Sequence, residues 1–143
     1  MSLPLSRVYI TVFFMWLGHL SVDFMIGFWT IFKTLEHLDL ALAGVIAGVS
    51  ALLGEGMQIF FGSLSDRGYR KHLVILGIIL TCSSSLLPYF NNYSMYFLLY
   101  LLTCIGSSSF HPTASGLVGR LLPEKRGLLM SIFASGGFLG MAI

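Results

Sequence analysis

Five apolar runs, separated by short polar stretches, account for almost the whole chain. They extend over residues 8–32, 40–61, 73–89, 95–121 and 127–143. A helix that crosses a bilayer needs about 20 mostly apolar residues. The first four runs therefore predict complete transmembrane helices. The fifth gives roughly 25 Å of helix, short of a ~30 Å hydrocarbon core, and predicts an incomplete span. The expected fold class is all-α and integral to the membrane, and the chain reads as a truncated piece of a larger bundle. The links are short: Lys33 to Asp39, Gly62 to His72, Asn91 to Tyr93 and Pro123 to Arg126. Links of that length make consecutive helices antiparallel neighbours. The first run is not a signal peptide, being too long and lacking a small-residue cleavage site.

Charge sets the orientation. Arg7 precedes the first run, and the first link carries only Lys33. The second link holds Arg67, Arg70 and Lys71, the third none, and the fourth has Lys125 and Arg126, with Arg120 just before it. Basic loops stay in the cytoplasm. The N-terminus and the second and fourth links are therefore expected there, in a multi-pass protein of the cell (inner) membrane. Composition agrees with a lipid environment. Hydrophobic residues make up 56% of the 143 and charged residues 10%, against about 25% charged in a soluble domain. These proportions exclude a soluble enzyme, a disordered tail and a nucleic-acid binder. The net charge of +2 is too small for a phosphate-binding footprint. Cys82 and Cys104 sit in apolar runs and read as packing residues.

Ionisable groups at membrane depth are costly and point to function. His19 and Asp23 are four residues apart in the first run, so they share one helix face. A carboxylate beside an imidazole suits proton coupling. The same spacing is half of a metal site, but two more ligands would be needed and no other run offers a second such pair. No metal and no cofactor are expected. Glu55 and Gln58 lie near the end of the second run; Glu55 is either a second protonatable group facing a cavity or a side chain reaching the interface. Ser107, Ser108, Ser109, His111, Pro112, Thr113 and Ser115 form a polar streak in the fourth run. Pro112 removes a backbone hydrogen bond and predicts a helix break, and broken membrane helices line cavities. Ser115 and His111 lack an oxyanion hole, so hydrolysis is not expected and the protein is not read as an enzyme. Gly44-x-x-x-Gly48 and Gly136-x-x-x-Gly140 have the spacing of close helix contacts.

The link after the second run reads Gly62-Ser-Leu64-Ser-Asp66-Arg67-Gly68-Tyr69-Arg70-Lys71. It resembles the signature loop of the major facilitator superfamily at Gly62, Leu64, Asp66, Arg67, Arg70 and Lys71. Tyr69 stands where that pattern has its second glycine. Within the superfamily the chain is most similar to the fosmidomycin-resistance group of exporters. The similarity rests on Gly18-His19-Leu20-Ser21-Val22-Asp23, Gly106-Ser107-Ser108-Ser109-Phe110-His111-Pro112 and Ser131 to Gly137. The resemblance implies twelve helices in two six-helix halves that rock about a central cavity, with most of the first half present here. It implies proton-coupled efflux of a small molecule or drug. Its partners would be the bilayer, protons, a small-molecule substrate and the missing C-terminal half, with no nucleic acid. An uptake symporter of the same superfamily and a non-transporting truncated membrane protein are the alternatives. Asp66 is expected to cap the N-terminus of the third helix and to pair with nearby arginines.

Overall fold

The computed structural model describes residues 4–143, and every regular element among them is helical. Helix α1 covers Leu5–Leu35, α2 Leu40–Gly56, α3 Gln58–Leu64, α4 Arg70–Thr81, α5 Tyr93–Leu121 and α6 Arg126–Ala142. The boundaries follow local chemistry. Helix α1 stops where His37 takes a positive φ of 50°. Asp39 then caps α2, its Oδ1 accepting from the Leu42 N–H at 2.9 Å. Asn92 caps α5 in the same way through the Met95 N–H at 2.8 Å. Such caps satisfy backbone donors that a helix start leaves unpaired.

The second and third runs form one nearly continuous helical path. It slackens at Met57 between α2 and α3, winds into a π turn over Ser65–Tyr69, and ends in a 3₁₀ segment over Cys82–Tyr89. The chain reverses at Gly68, whose φ is 102°. That left-handed conformation costs glycine nothing. The expected link of Gly62 to His72 is thus mostly helical, and only the Gly68 corner is a true turn.

Among the described residues, two stretches, Leu5–Leu35 and the path Leu40–Tyr89 that Gly68 divides, are long and apolar enough to cross a membrane. Helix α5 has 29 residues, ample length, but its serines and His111 dilute its apolarity. Helix α6 has 17 residues. Large apolar side chains such as Phe13, Phe14, Leu52, Ile59 and Phe138 are exposed. An apolar exterior over a packed interior is what a lipid solvent permits.

Helix α5 is the hub and packs against α1, α2, α3, α4 and α6. One apolar cluster joins Trp29, Phe32, Ile46, Leu87, Tyr96 and Tyr100, with the Trp29 and Tyr100 rings stacked at 4.8 Å. The other joins Val12, Val22, Phe110, Val118, Leu129 and Phe133. Small residues bring the backbones together. A Cβ on Gly77 would lie 2.9 Å from the Gly106 carbonyl, so α4 and α5 touch backbone to backbone. Gly136 faces the Trp16 carbonyl of α1, and Gly140 faces that of Leu20. The Gly136/Gly140 face therefore has its partner within this chain. Gly44 and Gly48 have nothing within 4 Å of a would-be Cβ.

Candidate functional site

Three side chains from two helices converge beside the cluster that holds Phe110 and Phe133. His19 and Asp23 project from successive turns of α1, and His111 reaches them from α5. His111 Nε2 lies 3.0 Å from Asp23 Oδ1, and His19 Nε2 lies 3.4 Å from Asp23 Oδ2. The side chains are 27%, 16% and 11% exposed for His111, Asp23 and His19. The cluster is thus sheltered but reachable.

Both rings are held by the backbone. His19 Nδ1 faces the Phe133 carbonyl at 2.8 Å. A carbonyl only accepts, so that nitrogen carries the proton. The His19 ring also stacks on Phe133 at 4.2 Å, with 17° between the planes. His111 Nδ1 lies 3.0 Å from both the carbonyl and the hydroxyl of Ser107. It can donate to the first or accept from the second without moving, so His111 can change tautomer in place. Neutral His19 has spent its one N–H on Phe133, and its Nε2 lone pair faces a carboxylate oxygen. Two acceptors facing each other repel unless a positive charge lies between them. The arrangement fits a carboxylate that holds a cation with two imidazoles.

Helix α6 closes one side of the cluster. A Cβ on Gly137 would lie 2.5 Å from both Asp23 Oδ2 and His19 Nε2. Only glycine lets α6 approach this closely, and Phe133, one turn earlier, supplies the carbonyl and ring that hold His19. Sequence reasoning placed Gly137 in a family-like pattern but assigned neither residue to the site. The signal was there in their spacing of four, on the helix face that meets α1.

The other residues singled out by sequence fall elsewhere. Glu55 and Gln58 straddle the α2–α3 joint, half-buried, with the Gln58 amide donating to the Glu55 carboxylate. Pro112 lies inside an unbroken α5, so the expected helix break is a helix that continues. Ser107, Ser108, Ser109 and Thr113 are buried in the bundle rather than spread along a cavity wall. Ser109 ties α5 to α4 by donating to the Leu73 carbonyl at 2.9 Å.

The signature-like loop is exposed. Asp66 Oδ1 accepts from Arg120 Nη2 at 3.0 Å and lies 3.8 Å from Arg70 Nη2. Asp66 does not cap α4, whose N-terminus has no side-chain cap; it links the loop to the end of α5 instead. Gly62 and Leu64 belong to α3, with Gly62 lying against Pro112. Arg67 and Lys71 are exposed. Gly68 takes the left-handed turn at the position before Tyr69, so the displaced glycine still serves the reversal.

The family model of the Major Facilitator Superfamily matches residues 8–143. The chain is 24% identical over 128 residues to the multidrug resistance protein MdtH of Shigella dysenteriae serotype 1 (strain Sd197). That match covers 81% of this chain and 32% of the relative, so the chain spans about a third of the relative's length. No solved structure matches it significantly.

Proposed function

The chain belongs to the Major Facilitator Superfamily, and from that premise we propose that it is the N-terminal part of a proton-coupled exporter of small molecules. Within the superfamily we assign it to the fosmidomycin-resistance type, on the His19–Asp23 and His111–Pro112 segments. It sits in the cell membrane with its N-terminus in the cytoplasm, as the basic second and fourth links favour. The distant likeness to a protein named for multidrug resistance supports outward transport.

One observation carries the proposal: Asp23 is faced by two imidazoles, from its own helix and from α5. A protonated His111 makes a charge-assisted contact to Asp23 that bridges α1 and α5, and its deprotonation reduces that contact to a hydrogen bond from a neutral imidazole. Protonation is thereby coupled to how the two helices sit against each other. His111 changes tautomer against Ser107 and passes the proton without a rotamer change. Glu55 and Gln58, at the α2–α3 joint, add a second polar contact to the proposed path.

The Asp66–Arg120 pair fits a contact made and broken in each cycle. Both partners are more than half exposed, and an exposed ion pair is worth about 0–1 kcal/mol. It biases one access state without locking it. Alternating access then needs a second bundle to rock against this one.

The test is Asp23→Asn in a transporter that includes residues 1–143, assayed in everted vesicles with an imposed pH gradient. Flux driven by the gradient should vanish while membrane insertion is unchanged. Full proton-driven efflux in Asp23→Asn would overturn the coupling role, and substrate accumulation in the opposite direction would favour the uptake reading.

A further inference from the structure

The geometry points to a second occupant of the His19–Asp23–His111 cluster: a divalent transition-metal ion of the zinc and cobalt kind. This inference uses the same residues as the coupling proposal but does not depend on transport. Sequence offered only half a metal site, because the third ligand comes from a helix far away in the chain. The fold supplies it. One ligand atom from each residue lies within 4.8 Å of the other two.

The spacing speaks for an ion as well as a proton. Charge-assisted N–H···O contacts close to about 2.7–2.9 Å, whereas His19 and Asp23 stand 3.4 Å apart. With bonds of about 2.1 Å, a tetrahedral ion separates its ligand atoms by about 3.4 Å and an octahedral one by about 3.0 Å. The Asp23 contacts, 3.4 Å from His19 to Oδ2 and 3.0 Å from His111 to Oδ1, have that size, one at each oxygen of a carboxylate that would hold the ion through both. The remaining separation, between the ligand nitrogens of the two histidines, is within 4.8 Å.

The outer contacts fit too. A ligating histidine ordinarily donates its other ring N–H to a carbonyl or carboxylate, which fixes the tautomer and aims the lone pair. His19 does this to Phe133 and His111 does it to Ser107. Two imidazoles and one carboxylate form a borderline donor set suited to zinc, cobalt, nickel or iron rather than magnesium or calcium. Three protein ligands leave at least one position for water or a bound molecule. The partial exposure of Asp23 and His111 gives an approach to it.

The purified chain in lipid nanodiscs can be titrated with Co2+ and followed by its visible absorption, in a His37→Gln/His72→Gln background that removes the exposed histidines. Binding should saturate at one ion per chain and be displaced by Zn2+. His19→Gln, Asp23→Asn and His111→Gln should each weaken it by about tenfold or more. His111→Cys keeps a ligand, so it should still bind and add an intense thiolate-to-cobalt band. That gain of signal separates lost ligation from lost folding. Binding that the three ligand variants leave unchanged, or no cobalt spectrum in the parent and no thiolate band in His111→Cys, would overturn the assignment. Neither result bears on whether Asp23→Asn stops proton-driven flux.

Discussion

Gly137 has no side chain, yet it sets the geometry of the cluster more tightly than any of the polar residues. A methyl group there would meet Asp23 Oδ2 and His19 Nε2 at 2.5 Å, well inside van der Waals contact. Gly137→Ala should push α6 off α1, stretch the His19–Phe133 hydrogen bond and cost about 1–3 kcal/mol, as overpacking does. Thermal unfolding of the chain in micelles checks it, and an unchanged melting point would place α6 further from Asp23 than described. What sequence could read at this scale follows from periodicity. A spacing of four put His19 and Asp23 on one face, and they face each other at 3.4 Å. His111 could be flagged as costly at membrane depth but not joined to Asp23, because that contact depends on how α1 and α5 pack. The anchoring carbonyls of Phe133 and Ser107 were out of reach for a plainer reason: every residue has one.

Among the helices, glycine spacing marks where close contact can occur but not which helix makes it. Gly136-x-x-x-Gly140 reads as a close-packing face that wants a partner helix, inside the chain or outside it, and the partner is α1. Gly44-x-x-x-Gly48 read the same way, and that face is open. The two cases are alike in sequence; the difference lies in tertiary packing, which a spacing of four does not encode. The same holds for Pro112. The missing N–H was legible, but α5 is held on several sides by other helices and continues through it. The contrast can be measured. Gly106→Ala places a methyl 2.5 Å from the Thr81 backbone nitrogen, where nothing flexible can yield, so it should destabilise the chain markedly. Gly44→Ala meets nothing within 4 Å and removes the backbone entropy cost of glycine, so it should be neutral or stabilise by up to about 1 kcal/mol. Equal losses from both would mean that α2 is covered in solution.

At the scale of the described residues, the structure is a packed bundle with an apolar exterior and an open glycine face on α2. Helix α5 is enclosed by its neighbours, whereas α2 exposes Leu42, Val45, Val49 and Leu52 beside Gly44 and Gly48. Lipid can cover the large side chains but cannot supply the close backbone contact for which the glycines leave room. Alternating access needs two bodies that move against each other around a shared site, and the described helices form a single body. The polar cluster at Asp23 keeps part of its surface exposed. On its own, then, the 143-residue chain should insert, fold and bind at Asp23, His19 and His111, yet carry no substrate. Reconstituted alone in vesicles under a pH gradient, it should show no flux and confer no drug resistance on a host stripped of its exporters. Joined to a complementary C-terminal half, it should recover measurable flux that Asp23→Asn abolishes. Crosslinks between the halves should form through cysteines placed at Gly44 or Gly48. Steady proton-driven transport by the purified chain alone would replace the two-bundle reading with a small oligomeric transporter, in which a second copy of this chain covers the α2 face.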